Sequence, residues 1–160
     1  MEEKNVKEMF RNPIQIGLIV DDLEPLLKNL EEILGIGPFR VVDFPPEGAD
    51  VKMIYKGEPS KFKAKFCFFD LGNIELEIIQ PLEGDTVWGD FLKANNGMGL
   101  HHIKFLVPEH EPVREYLESK DIQISQMGSS VGKNAGKEWV FYNTEDLFGF
   151  ALEIMNSVVK

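Results

Sequence analysis

The feature that most limits what this chain can fold into is an internal repeat. Gln15-Ile16-Gly17-Leu18-Ile19-Val20, followed by Pro25, superposes on His102-Ile103-Lys104-Phe105-Leu106-Val107, followed by Pro112, at a constant offset of 102 − 15 = 87 residues. In each half the aligned run is rich in strand-forming residues and is followed by an apolar pattern at helical spacing, then by three or more strand-like runs. Each half ends in a similar segment, Leu76-Glu77-Ile78 in the first and Leu152-Glu153-Ile154 in the second. Such a chain folds as two like modules about a pseudo-twofold axis, and equivalent residues of the two copies then converge on one place.

Alternation along a strand decides which residues face that place. Gln15, Gly17 and Ile19 share one face, opposite Ile14, Ile16, Leu18 and Val20. His102, Lys104 and Leu106 share another, opposite His101, Ile103, Phe105 and Val107, which form the apolar side that packs against protein. His101 is therefore expected to be structural and to point away from His102. Glu75, Glu77 and Ile79 lie together on the second arm of a hairpin about Gly72-Asn73.

Across the pseudo-twofold axis Gln15 faces His102, and Glu77 faces Glu153. One imidazole, one amide oxygen and two carboxylates make a largely hard, mixed nitrogen and oxygen set. It suits an octahedral divalent ion with water or substrate in the remaining positions. Gln15, Glu77, His102 and Glu153 are thus the candidate metal ligands. Lys104, on the ligand face two residues from His102, either binds an anionic group of a substrate or neutralises Glu75.

The remaining elements fall around these strands. Asp21 and Asp22 offer an N-cap, Leu23, Leu26, Leu27, Leu30, Ile33 and Leu34 repeat at helical spacing, and Gly35 ends the helix. Short strands are expected at 38–44 and 51–55, hairpin arms at 62–71 and 73–80, and a short helix within 84–95. A second long helix is expected within 108–120, and strands at 122–125, 139–142 and 150–155. Residues 1–12 read as an extension with a turn or two of amphipathic helix, ahead of a single domain, 13–156, whose modules span 13–83 and 100–156. A loop at 128–136, with Gly128, Ser129, Ser130 and Gly132 before Lys133 and Asn134, is expected to border the mouth of the site.

A formal charge of −10 argues against a nucleic-acid partner, because phosphate binding needs a concentrated basic surface. Lys61, Lys63 and Lys65 alternate along one strand and are read as a solvated sheet edge. The single cysteine, Cys67, excludes an intrachain disulfide, fits a reducing compartment and is expected to be buried and inert. No apolar run reaches the roughly 18–20 residues of a membrane span, so no membrane partner and a cytoplasmic location are expected.

The motifs resemble those of the vicinal oxygen chelate superfamily, the group of glyoxalases, epimerases and extradiol dioxygenases. Within it Asp70-Leu-Gly-Asn-Ile-Glu-Leu-Glu-Ile-Ile-Gln-Pro-Leu82, Gly97-Met-Gly-Leu-His-His-Ile103 and Phe150-Ala-Leu-Glu-Ile154 are most similar to methylmalonyl-CoA epimerases. The resemblance implies an α+β fold of two βαβββ modules whose mixed sheet cups a metal site. It carries the ligand positions onto Gln15, Glu77, His102 and Glu153, with one divalent ion such as zinc, cobalt, nickel or manganese. The implied chemistry is proton transfer next to a carbonyl through an enolate or enediolate, with Glu153 as base. Return of the proton to the same carbon is epimerase chemistry, and return to the neighbouring carbon is glyoxalase I (lactoylglutathione lyase) chemistry.

Two positions depart from the epimerase pattern. Epimerases present histidine where this chain has Gln15, and glutamine there looks more like some glyoxalase I enzymes. They also take a second carboxylate from the strand before the hairpin, whereas residues 61–69 contain no acid and leave Glu75 as the candidate second base. The expected partners are a small-molecule substrate, a CoA thioester or thiol adduct, and a second copy of the chain in a homodimer. The alternatives are a non-catalytic binding or resistance protein of the same fold and a ring-cleaving dioxygenase. The latter prefers a two-histidine, one-carboxylate iron site, and Gln15 stands where its first histidine would be.

Overall fold

The computed structural model describes residues 2–157, so of the expected extension only Met1 lies outside the described residues. The extension forms α1 (Glu3–Met9). The first module follows as β1 (Pro13–Ile19), α2 (Leu23–Leu34), β2 (Val41–Phe44), β3 (Met53–Tyr55), β4 (Glu58–Pro59), β5 (Lys63–Asp70) and β6 (Glu75–Glu83). Helix α3 (Val87–Asn95) leads into the second: β7 (Gly99–Val107), α4 (His110–Glu118), β8 (Ile124–Ser129), β9 (Glu138–Tyr142), α5 (Glu145–Phe148) and β10 (Ala151–Asn156). All ten strands join one curled sheet in the order β2-β5-β6-β1-β7-β10-β9-β8-β3-β4. The fold is the expected α+β cup of two βαβββ modules.

The repeat is visible in the hydrogen-bond register. β1 runs parallel to β6 with Gly17 beside Glu77, and β7 runs parallel to β10 with Lys104 beside Glu153. The two modules meet where β1 and β7 pair antiparallel, Gly17 opposite His102 and Gln15 opposite Lys104. Since 104 − 17 = 102 − 15 = 87, these two cross-strand pairs are the same pair seen from either module.

Helices α2 and α4 cover the convex face, and aromatic residues, Trp88 of α3 among them, fill the concave one. The Asp22 carboxylate accepts a hydrogen bond from the Glu24 N–H to cap α2, and Gly35 ends it in the left-handed region that favours glycine. Leu26, Leu27 and Leu30 then pack on Val20, Cys67 and Ile78, while Val113 and Leu117 of α4 pack on Val107, Leu152 and Ile154. On the concave side Ile19, Phe44, Phe62, Phe66, Trp88, Trp139 and Phe141 form one core. Each such ring stabilises the fold by about 1.5–3 kcal/mol relative to exposure.

Some features differ from the sequence reading. The β3–β4 hairpin leaves its own module and pairs with β8, Met53 beside Gly128 and Tyr55 beside Gln126. A strand this short carries no signal of its partner. Lys61, Lys63 and Lys65 do not mark an edge: β5 lies between β2 and β6, and Lys63 pairs with Glu83. Between the strands expected at 139–142 and 150–155 lies the short helix α5, and the loop expected at 128–136 begins after β8 ends at Ser129. Cys67 is buried as expected, and burial pushes its thiol pKa up. No helix among the described residues is long and apolar enough to cross a membrane.

Candidate metal centre

Strands β6, β7 and β10 bring Glu77, His102 and Glu153 together on the concave face, all three buried. His102 Nε2 lies 2.9 Å from Glu77 Oε2 and 3.3 Å from Glu153 Oε2. The imidazole fits because the residue opposite it is glycine: a β-carbon on Gly17 would overlap the His102 ring. Phe141 holds the other side edge-on, its ring centroid 4.9 Å away.

Lys104 closes the group from behind. Its Nζ lies 3.2 Å from Glu153 Oε1 and 3.9 Å from Glu77 Oε1, so each carboxylate turns one oxygen to the ammonium and the other to the imidazole. Burial alone would push the Glu77 carboxyl up, but Lys104 and His102 outweigh it and hold that group below the usual carboxylate range. For Glu153 burial wins over the same two neighbours, and its proton affinity is raised. Burial would lower the pKa of Lys104, yet Glu153 and Glu77 raise it, so the side chain stays a cation.

Gln15 lies on β1 opposite Lys104 of β7. Its Nε2 donates to Glu75 Oε1 at 2.6 Å, while its own Oε1 is buried without a hydrogen-bond partner among the described residues. Glu75 is half-buried, and its Oε2 lies 3.9 Å from Nζ of the exposed Lys133, on the loop between β8 and β9. Val131 of the same loop packs against the concave core. The loop of the second module thus reaches Glu75 of the first module and the edge of the concave core.

His101 is where the sequence reading fails. Gly17 pairs with His102 and Leu18 with Leu100, leaving His101 as the extra residue of a β-bulge that breaks the alternation. Instead of pointing away, His101 places Nδ1 2.9 Å from Nδ1 of His102, and its ring also packs on Phe91 and Phe141. Burial, with a smaller contribution from His102, pulls its pKa down to about 2, so the ring stays neutral. One of the two Nδ1 atoms donates to the other, which ties the tautomer of His102 to that of His101.

The residues present fit a divalent ion. Two ligands at right angles, each about 2.1 Å from an ion, stand about 3 Å apart, close to the observed 2.9 and 3.3 Å. The ligand atoms of Glu77, His102 and Glu153 all lie within 4.8 Å of one another. Buried Glu153 Oε2 and Gln15 Oε1 have no hydrogen-bond partner among the described residues. Such lone pairs are costly to bury idle. His101 supplies the outer contact that commonly orients a ligating imidazole.

Residues 14–141 match the model of the Glyoxalase/Bleomycin resistance protein/Dioxygenase superfamily. The mitochondrial methylmalonyl-CoA epimerase of Bos taurus is 27% identical over 139 residues, covering 87% of this chain and 70% of that protein. The ethylmalonyl-CoA/methylmalonyl-CoA epimerase of Cereibacter sphaeroides is 26% identical over 140 residues, 87% of this chain and 92% of that one. A solved variant of Streptomyces coelicolor methylmalonyl-CoA epimerase, in complex with 2-nitronate-propionyl-CoA, superposes with a TM-score of 0.60 at 17% identity, over 92% of this chain and 97% of that one. With a family match along most of its length, a cup of two repeated modules and epimerases among its relatives, the chain belongs to the glyoxalase, bleomycin resistance protein and dioxygenase group, the vicinal oxygen chelate superfamily.

Proposed function

We propose that this protein is a metal-dependent epimerase that moves the α-proton of a 2-branched acyl thioester, a CoA ester of the methylmalonyl type. The observation that carries the reading is the Glu77–His102–Glu153 group, closed and buried at the centre of the cup, in a chain whose relatives are epimerases. His102 Nε2 and the Oε2 atoms of Glu77 and Glu153 would hold the ion, with Gln15 Oε1 as a fourth donor. When bound, a divalent ion supplies a Lewis acid for the thioester oxygen.

The protein's own groups then do the proton work. Glu153 takes the α-proton as the general base. Lys104 stands in ion-pair contact with Glu153 and Glu77, at 3.2 and 3.9 Å, and its ammonium offers a donor to the anionic oxygen of the substrate. Glu75, on the opposite module and open to solvent, is the second base that returns a proton from the other side. Substrate enters where the 130–137 loop covers the site. The Lys133–Glu75 pair that ties this loop down is exposed, and such pairs are worth about 0.2–1 kcal/mol, so opening is easy.

The test is hydrogen exchange at the α-carbon. Methylmalonyl-CoA and the glutathione adduct of a 2-oxoaldehyde are incubated with protein in deuterated water and followed by NMR. Wild type is expected to exchange the thioester proton and to leave deuterium on the same carbon. Glu153→Gln keeps an oxygen donor but removes the basicity, so exchange should fall about 10²-fold to 10⁴-fold while metal content stays near one per chain. Wild type that binds the thioester without exchanging it refutes the enzyme reading. Deuterium on the neighbouring carbon of the glutathione adduct points instead to the lyase.

A further inference from the structure

The two halves of the repeat are not equal at one position. Gly17 and Lys104 are equivalent by the 87-residue offset, each beside the glutamate of its own module and each across from a ligand position of the other. In the first copy the glycine leaves a hollow, and the His102 ring fills it. In the second copy the hollow is occupied by a lysine, and Gln15 opposite it turns its amide to Glu75. A symmetric site would accept a ligand ring from each side; this one has exchanged one of them for an ammonium.

We propose that Lys104 is a resident counter-cation, which keeps the ligand group assembled before any metal arrives and weakens the hold of the site on a divalent ion. The inference rests on the ligand group described above but not on the reaction. Glu77 and Glu153 both sit within 3.3 Å of one nitrogen of His102 and are buried. Without a cation, two carboxylates there repel each other and are stripped of water, which folded proteins do not tolerate. Lys104 meets the oxygen of each that His102 does not, at 3.2 and 3.9 Å. With a neutral imidazole the group carries −2 + 1 = −1, and a divalent ion takes it to +1 rather than to 0. Lys104 therefore makes the fold independent of metal, and leaves the loaded centre with a positive charge that attracts an anionic oxygen.

Lys104→Met keeps an unbranched apolar stem out to the ε position and removes the charged ζ nitrogen. The test uses Co²⁺ alone, without substrate: calorimetric titration for affinity, and thermal unfolding with and without EDTA. Metal-free wild type should melt as a folded domain. Metal-free Lys104→Met should melt about 6–20 °C lower, as expected for a buried charge that has lost its partner. Saturating Co²⁺ should recover most of that loss, and the variant should bind Co²⁺ at least about tenfold more tightly than wild type. The double variant Lys104→Met with Glu153→Gln again carries −1 and should regain metal-free stability even where the single variant does not fold. Weaker or unchanged Co²⁺ binding by Lys104→Met, an unchanged metal-free melt, or a double variant no more stable than the single one overturns the proposal. Because no turnover is measured, these results stand apart from whether the protein is an epimerase.

Discussion

Gly17→Ala tests whether His102 owes its place to an absent side chain. An ideal β-carbon at position 17 falls on the His102 ring, against Cε1, Nε2 and Nδ1. To regain an ordinary carbon contact of about 3.5–4.0 Å the ring must retreat by more than about 1 Å. There is no room behind it: Phe141 stands edge-on at 4.9 Å and His101 at 5.2 Å between centroids. Coordination distances are held to within about 0.2 Å, so the displacement is severalfold too large for His102 to stay a ligand. Co²⁺ affinity should fall by at least about 100-fold, beyond the range usual for changes outside the ligands themselves. Overpacking a buried site also costs about 1–3 kcal/mol, or about 2–12 °C in Tm for a chain of this size. Gly89→Ala is the control: its β-carbon would meet only Thr86 Oγ1 at 3.4 Å, inside α3, and helix propensity favours it. Calorimetric titration and scanning calorimetry measure both quantities. A Gly17→Ala protein that binds Co²⁺ and melts like wild type refutes the reasoning.

Two further outcomes follow from the same geometry. His102→Ala should abolish Co²⁺ binding, while His101→Ala, which removes only the partner of His102 Nδ1, should weaken it about 10-fold to 100-fold; equal effects would mean that both rings ligate, and no effect would mean that His101 does not orient His102. Lys133→Ala removes the ion pair between the 130–137 loop and Glu75, so proteinase K should cut the loop up to about fivefold faster; an unchanged cleavage rate would show that this contact does not hold the cover.

Much of the fold is legible because local and global signals agree. The N-cap at Asp22, the leucine spacing through Leu34 and the left-handed Gly35 fix α2 independently of its surroundings. Strand faces are equally plain where the pleat is regular: Gln15, Gly17 and Ile19 turn inward together, and Leu18 and Val20 pack under α2. The β3–β4 hairpin is different in kind. Its pairing with β8 is set by what the closed cup leaves available, a tertiary contact more than 70 residues away in sequence (128 − 53 = 75). Trp88 likewise reads as part of an ordinary helical stripe, yet it is carried into the concave core against Phe62, Phe66 and Phe141.

The candidate site was readable through the repeat rather than through any local motif. Glu77, His102 and Glu153 do not share a spacing, but Glu77 and Glu153 close the two modules beside Gly17 and Lys104 respectively, and His102 lies opposite Gly17 where the modules pair. The same reasoning could not see where the copies differ in function. A period of two assigns His101 to the far face, and only the extra residue between Leu100 and His102 in the pairing with β1 turns it inward. Lys104 is assigned to the right face by that period, but whether it meets substrate or glutamate depends on which oxygens the carboxylates leave unclaimed. The structure has His102 take one oxygen from each and Lys104 the other. The two copies therefore differ through the pair formed by Gly17 and Lys104: in one the missing side chain admits the His102 ring, and in the other the charge meets both glutamates and sets how strongly the site needs a metal.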